Sequence, residues 1–68
     1  HMIAMIKVRG HIRKELTIES ERKVSDLMKD LGLNEDEYVV IVNGSPVLGD
    51  HIVKKEDDVT ILEVFSGG

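Results

Sequence analysis

Hydrophobic positions along the chain change period twice, and each change marks an element. From Ile3 to Arg9, apolar Ile6 and Val8 alternate with Lys7 and Arg9, the period-two mark of a half-buried strand. Gly10-His11 reads as a turn. Lys14, Leu16 and Ile18 then share one face while Arg13, Glu15, Thr17 and Glu19 share the other, so the first two strands form a hairpin. Val24, Leu27, Met28 and Leu31 fall at i, i+3, i+4 and i+7, one stripe of a helix. Gly32 suits the left-handed position after that helix, with Leu33 folding back onto its last turn. Lys23 stands where Ser or Thr would cap the helix start, so Ser20 or Ser25 are the alternative boundaries.

After the polar connection Asn34–Glu37, Tyr38-Val39-Val40-Ile41-Val42 is a β-branched third strand, apolar on both faces. Asn43-Gly44 predicts a tight hairpin turn. Ser45 to Leu48 can form only a short edge strand, because Pro46 removes a ladder donor. A turn over 49–52 and a charged loop over 54–58 lead to a last strand, Val59 to Val64. Strands with one helix packed on one face make an α+β domain with a mixed sheet of four to five strands. The last strand is expected in the middle of the sheet. Ile6, Val8, Leu16, Ile18, Val40, Val42, Val59 and Ile61 would face Val24, Leu27, Met28 and Leu31 across the core. The domain is expected over residues 1–65, with 66–68 a flexible tail. His1-Met2 reads as an expression remnant preceding or including the natural start, and His1 is given no role.

At 68 residues, a single domain buries only about 60% of its unfolded surface. There is no Cys, which excludes disulfides, thiolate metal sites and a Cys nucleophile. No apolar run approaches the ~20 residues of a membrane-spanning helix, and no signal-peptide pattern opens the chain. A cytoplasmic, monomeric protein with no membrane association is expected. The net charge is −4, with seven Lys/Arg against five acids through Asp30, and Lys54 and Lys55 against eight acids from Leu31 onward. That sign, with Tyr38 and Phe65 as the sole aromatics, argues against direct nucleic-acid binding. The acidic half suits a basic protein surface.

Candidate chemistry within the chain is thin. His11 and His51 match neither HxH nor HExxH spacing. Ser20, Ser25, Ser45 and Ser66 lack a nucleophile motif, Glu56-Asp57-Asp58 lacks calcium-loop spacing, and Gly44 and Gly49 form no phosphate cradle. No catalytic residue, bound cofactor or metal is expected, and the chain does not read as an enzyme.

Two features remain. Met5, Val39, Ile41, Leu62 and Val64 point away from the helix, an apolar strip on the sheet's outer face and a candidate partner surface; the alternative is partial cover by the stems of Lys7, Arg9 and Thr60. Phe65 follows, with little core left to fill. The sequence then closes on Gly67-Gly68. With glycine at about 7% of residues, such a pair arises by chance roughly once in two hundred chains. Thin and free in φ/ψ, Gly-Gly suits a tail that threads into another protein's active site. A carboxylate there reacts only after its oxygen becomes a leaving group, as in an acyl-adenylate made from ATP.

VSDLMKDLGL, YVVIVNGSPVLGD and EDDVTILEVFSGG together resemble the ubiquitin-like β-grasp sulfur carriers: the thiamine-pathway and molybdopterin-pathway carriers (the ThiS/MoaD family) and the small archaeal modifier proteins. The resemblance covers nearly the whole chain. It implies that Gly68 is adenylated by a ubiquitin-activating-type enzyme using ATP and magnesium, then converted to a thiocarboxylate by a sulfur donor protein. Sulfur would pass to an acceptor-pathway enzyme, with tRNA thiolation favoured, and the same end could join target-protein lysines through an isopeptide bond. Ser66 and Gly67 would thread the enzyme's channel, while Phe65, Val64 and Leu62 would lie on its surface. Glu56 replaces the family's usual Gly before Asp57, and Lys23 its usual capping Thr. A thiamine- or molybdopterin-pathway carrier and a non-covalent ubiquitin-like interaction module stand as alternatives.

Overall fold

The structure, a computed structural model, describes residues 4–64. β1 (Ala4–Arg9) and β2 (Lys14–Ile18) pair antiparallel, with Ile6 opposite Leu16. β3 (Arg22–Lys23) leads into α1 (Val24–Leu31), and a single 3-10 turn (Glu35–Glu37) precedes β4 (Tyr38–Val42). β5 (Ser45–Val47), β6 (Ile52–Val53) and β7 (Asp58–Glu63) complete the order. The main sheet runs β2-β1-β7-β4-β5. β7 takes the centre as expected, parallel to β1 and antiparallel to β4.

Strand alternation builds the core. Ile6 and Val8 of β1, Val40 and Val42 of β4, and Val59 and Ile61 of β7 are buried on the face covered by Val24, Leu27 and Met28 of α1. Each such side chain contributes about 1.5–3 kcal/mol by leaving water. Leu16 and Leu31 pack against this cluster only partly buried. Ala4 and Val53, absent from the expected core, are both fully buried.

Val53 marks the main departure from the sequence reading. Where a turn and a charged loop were expected, β6 pairs antiparallel with β3, Arg22 opposite Val53 and Lys23 opposite Ile52. This small ladder docks the 49–53 segment against the helix start. It also settles the boundary that Lys23 left open. Lys23 is the N-cap and offers no side-chain cap. The Val24 N–H instead donates to the His51 carbonyl (2.9 Å) and the Ser25 N–H to the Gly49 carbonyl (2.8 Å), so backbone from a distant loop satisfies the first orphan donors. At the other end Gly32 sits at φ 71°. Its N–H donates to the Lys29 carbonyl and that of Leu33 to the Met28 carbonyl, the expected left-handed closure. The last strand starts one residue earlier than expected, at Asp58, and ends at Glu63.

Asn43 pins the β4–β5 turn to the start of β7. At φ 51°, its side-chain oxygen accepts from the Asp58 N–H (2.9 Å) and its amide donates to Asp57 Oδ1 (3.0 Å). Asn43→Ala loses both bonds and sits poorly at positive φ, an expected cost of about 1–3 kcal/mol. Thermal unfolding should show it as a fall of roughly 5–15 °C. Asn43→Gly, which keeps the backbone geometry, should fall by about half as much.

The Asp57 carboxylate also accepts from the Lys54 N–H (2.8 Å). That backbone bond, then the Asn43 amide and the His51 and Lys54 charges, outweigh partial desolvation and lower its pKa. A carboxyl depressed on folding stabilises the native state above its unfolded pKa, and this stability is lost as pH falls toward the folded value. Below about pH 4, the wild type should therefore lose stability more steeply than Asp57→Asn. Parallel acid-unfolding curves for the two proteins would cancel the remaining carboxylates.

Candidate functional site

The outer face of the sheet is built by the residues that alternate with the core. Register sets them in rows. In one, Arg9 of β1, Leu62 of β7 and Val39 of β4 lie side by side; in the next, Lys7, Thr60, Ile41 and Pro46. Leu62 and Val64 are exposed, while Val39 and Ile41 are half-buried beside them. Met5 is exposed on the same face but stands apart from the others, between Asp58 and Thr17. The apolar cluster thus centres on Leu62, Val39 and Ile41.

The flanking cations do not close over this cluster. Lys7 Nζ pairs with Asp58 (2.8 Å) and Arg9 with Glu15 (3.6 Å). Arg9 is drawn toward β2, away from Leu62, which keeps 40% of its surface exposed. Surface pairs of this kind contribute little to stability, about 0–1 kcal/mol; their effect here is to leave the aliphatic centre open with charge at its edge. An apolar centre with a polar rim is the usual anatomy of a protein interface.

Sequence reasoning missed two contributors. Pro46 is exposed opposite Ile41, and Leu48, just past β5, is the most exposed large hydrophobic of the described residues at 79%. Reading Leu48 as the end of the edge strand hid it. The Val40–Val47 pairing, once known, places Leu48 one step on, toward Val39, and the two line a common groove.

β7 leads out of this face toward the tail. The Val64 N–H donates to the Glu37 carbonyl (2.8 Å), and Glu63 accepts from the His11 N–H. Gly10, at φ 150°, passes against Glu63 so closely that a Cβ would collide with it. Two contacts from opposite sides therefore fix where the last strand ends. Partial burial, then the Glu63 and Glu37 carboxylates, raise the pKa of Tyr38 next to this point. Phe65, Ser66, Gly67 and Gly68 lie outside the described residues.

The remaining candidates stay dispersed. His11 is exposed in the β1–β2 turn and His51 lies in the 49–51 loop with its carbonyl used by the helix. Glu56 and Asp57 form the turn into β7, where Asp57 is occupied by Lys54 and Asn43. Among the described residues no three His, Asp or Glu side chains gather as a metal site. Nor is any helix there long and apolar enough to cross a membrane.

A mixed five-stranded sheet with β7 parallel to β1 at its centre and one helix across one face is the ubiquitin-like β-grasp fold. Comparison with known proteins agrees: residues 2–65 match the family described as small archaeal modifier protein 2. The sulfur carrier protein TtuB of Thermus thermophilus is 37% identical over 57 residues, spanning 82% of this chain and 86% of TtuB. The chain belongs to the small archaeal modifier protein 2 family, within the ubiquitin-like sulfur carriers of the ThiS/MoaD type.

Proposed function

We propose that this chain is a ubiquitin-like sulfur carrier that acts through the carboxylate of Gly68 and serves tRNA thiolation and protein conjugation. The observation that carries this reading is its 37% identity, over most of both chains, to a protein named as a sulfur carrier. The family match ends at Phe65, so the tail enters the proposal from its own chemistry.

The chain supplies no catalytic group; it is the substrate of a cytoplasmic adenylating enzyme. A Gly68 carboxylate oxygen attacks the α-phosphorus of ATP, whose magnesium the enzyme holds, and pyrophosphate leaves. A sulfur nucleophile from a donor protein then attacks the acyl carbon, and AMP leaves with the oxygen. With the outer sulfur of a persulfide as that nucleophile, a second thiol attacks the inner sulfur of the resulting acyl disulfide. The S–S bond breaks, the donor side leaves as a disulfide, and the tail keeps the outer sulfur as a thiocarboxylate. Attack by a lysine amine at the activated carbon gives an isopeptide bond instead. Gly67 and Ser66 thread the channel. Leu62, Val39 and Ile41, with Val64 beside them, hold the domain against the enzyme as a monomer, and Phe65 and Met5 add to that contact. The outer face supports this reading because it is apolar, open and continuous with the strand that leads into the tail.

Intact mass measured after incubation with ATP, magnesium, a sulfur donor and the host's own activating enzyme tests the proposal. The expected product gains the mass of sulfur in place of oxygen, mapped to Gly68. No adduct and no AMP release, with an enzyme shown to be active, would leave only a binding module.

A further inference from the structure

The apolar surface does not stop at the sheet. Past Pro46 and Leu48 it turns the β5 edge into an open groove of about 350 Å³ lined by Met28, Val40, Val47 and Leu48, with Glu35 at its border. Beyond Glu35 the surface dips again into a depression of about 500 Å³ bordered by Asp26, Glu35 and Asp36, with Lys29 as its single cation. Among the described residues, none of these three carboxylates takes part in an ion pair. Hydrophobic lining and unpaired negative charge therefore lie end to end along one side of the helix.

We propose that this groove is a second docking site, for a segment of a partner protein that carries an aliphatic side chain followed by Lys or Arg. The aliphatic group would settle against Leu48 and Val47, above the buried Met28, and the cation would reach Glu35, Asp36 and Asp26. Charge complementarity selects this occupant. The same carboxylates disfavour nucleic acid and anionic membrane surfaces. Strand addition to the edge is unsuited, since β5 has three residues and Pro46 lacks a donor; recognition runs through side chains. The site does not depend on activation of Gly68, so it stands or falls apart from the proposed function.

Methyl- and amide-labelled full chain would be titrated with three synthetic hexapeptides, alternating Leu-Lys, Ser-Lys and Leu-Glu. Leu-Lys should shift the methyls of Met28, Val47 and Leu48 and the amide of Gly49, with the other two at least tenfold weaker. Leu48→Ser should weaken Leu-Lys binding by about tenfold, and Glu35→Gln with Asp36→Asn by about threefold. All are exposed positions, and an unchanged unfolding temperature would show that the fold is intact. Four outcomes overturn the proposal: no binding by any peptide, equal binding by Ser-Lys, shifts confined to Ile41 and Leu62, or concentration-dependent shifts without peptide that map a second copy into the groove.

Discussion

Deletion of Gly68 is expected to abolish adenylate formation while leaving the unfolding temperature unchanged. The tail glycines carry no side chain to pack, so their loss removes nothing from the core. The chemistry is another matter. An extended residue spans roughly 3.3–3.6 Å, and a reacting pair must meet at about 3–3.5 Å. A tail one residue short withdraws its carboxylate by a whole contact distance. Misplacement by about 1 Å can already cost about 10²-fold, so no adduct should be seen at any practical enzyme concentration. ATP–pyrophosphate exchange measures this step directly. Binding to the enzyme, read separately by titration, should survive, because the outer face is untouched. If exchange persisted in the shortened chain, Gly68 would not be the reacting end. If both proteins bound equally and neither exchanged, the non-covalent module would replace the carrier.

The strands that build the face were legible because their period is local. Ile6 and Val8, Val40 and Val42, and Val59 and Ile61 announce themselves by alternation, and one residue's slip would turn each set to the wrong side. The helix stripe was legible for the same reason, and Gly32 because left-handed backbone favours glycine. What escaped depends on partners far along the chain. Val53 is buried because a two-residue strand meets Arg22 thirty-one positions earlier, and two residues carry no period. The helix start relies on the Gly49 and His51 carbonyls, groups every residue possesses, so Lys23 read as a missing cap. Leu48 escaped because its exposure follows from where β5 stops, which is set by Pro46 and by the return bond from the His51 N–H to the Leu48 carbonyl. The division of face from core survived intact, whereas the extent of the face did not. The tail's chemistry was visible only in the sequence, through residue types rather than packing.

Ile61→Ala and Leu62→Asp, one residue apart on β7, should fail in opposite ways. Ile61 is 1% exposed at the centre of the sheet, between Val8 and Val40. Removing its side chain leaves a cavity that α1 and two strands cannot close, at an expected cost of about 2–5 kcal/mol. A domain of this size has only roughly 3–10 kcal/mol of stability in all. The unfolding temperature should fall by roughly 10–30 °C, and whatever remains folded should be activated with an unaltered KM. Leu62 is exposed on the outer face and packs into no core, so Leu62→Asp should stay folded. It places a charge in the middle of the apolar cluster, between Val39 and Arg9. Docking should weaken by about 2 kcal/mol, the cost of losing a central anchor, or about 30-fold. Because Leu62 touches none of the reacting atoms, the loss belongs in KM, with kcat recovered at saturating carrier. Should Leu62→Asp instead leave KM within about twofold of wild type, the outer face is not where the enzyme docks. A fall in kcat at saturation would place Leu62 in positioning the tail rather than in binding. The alternation of β7 thus assigns the fold to one side of a single strand and recognition to the other, and two adjacent substitutions can separate them.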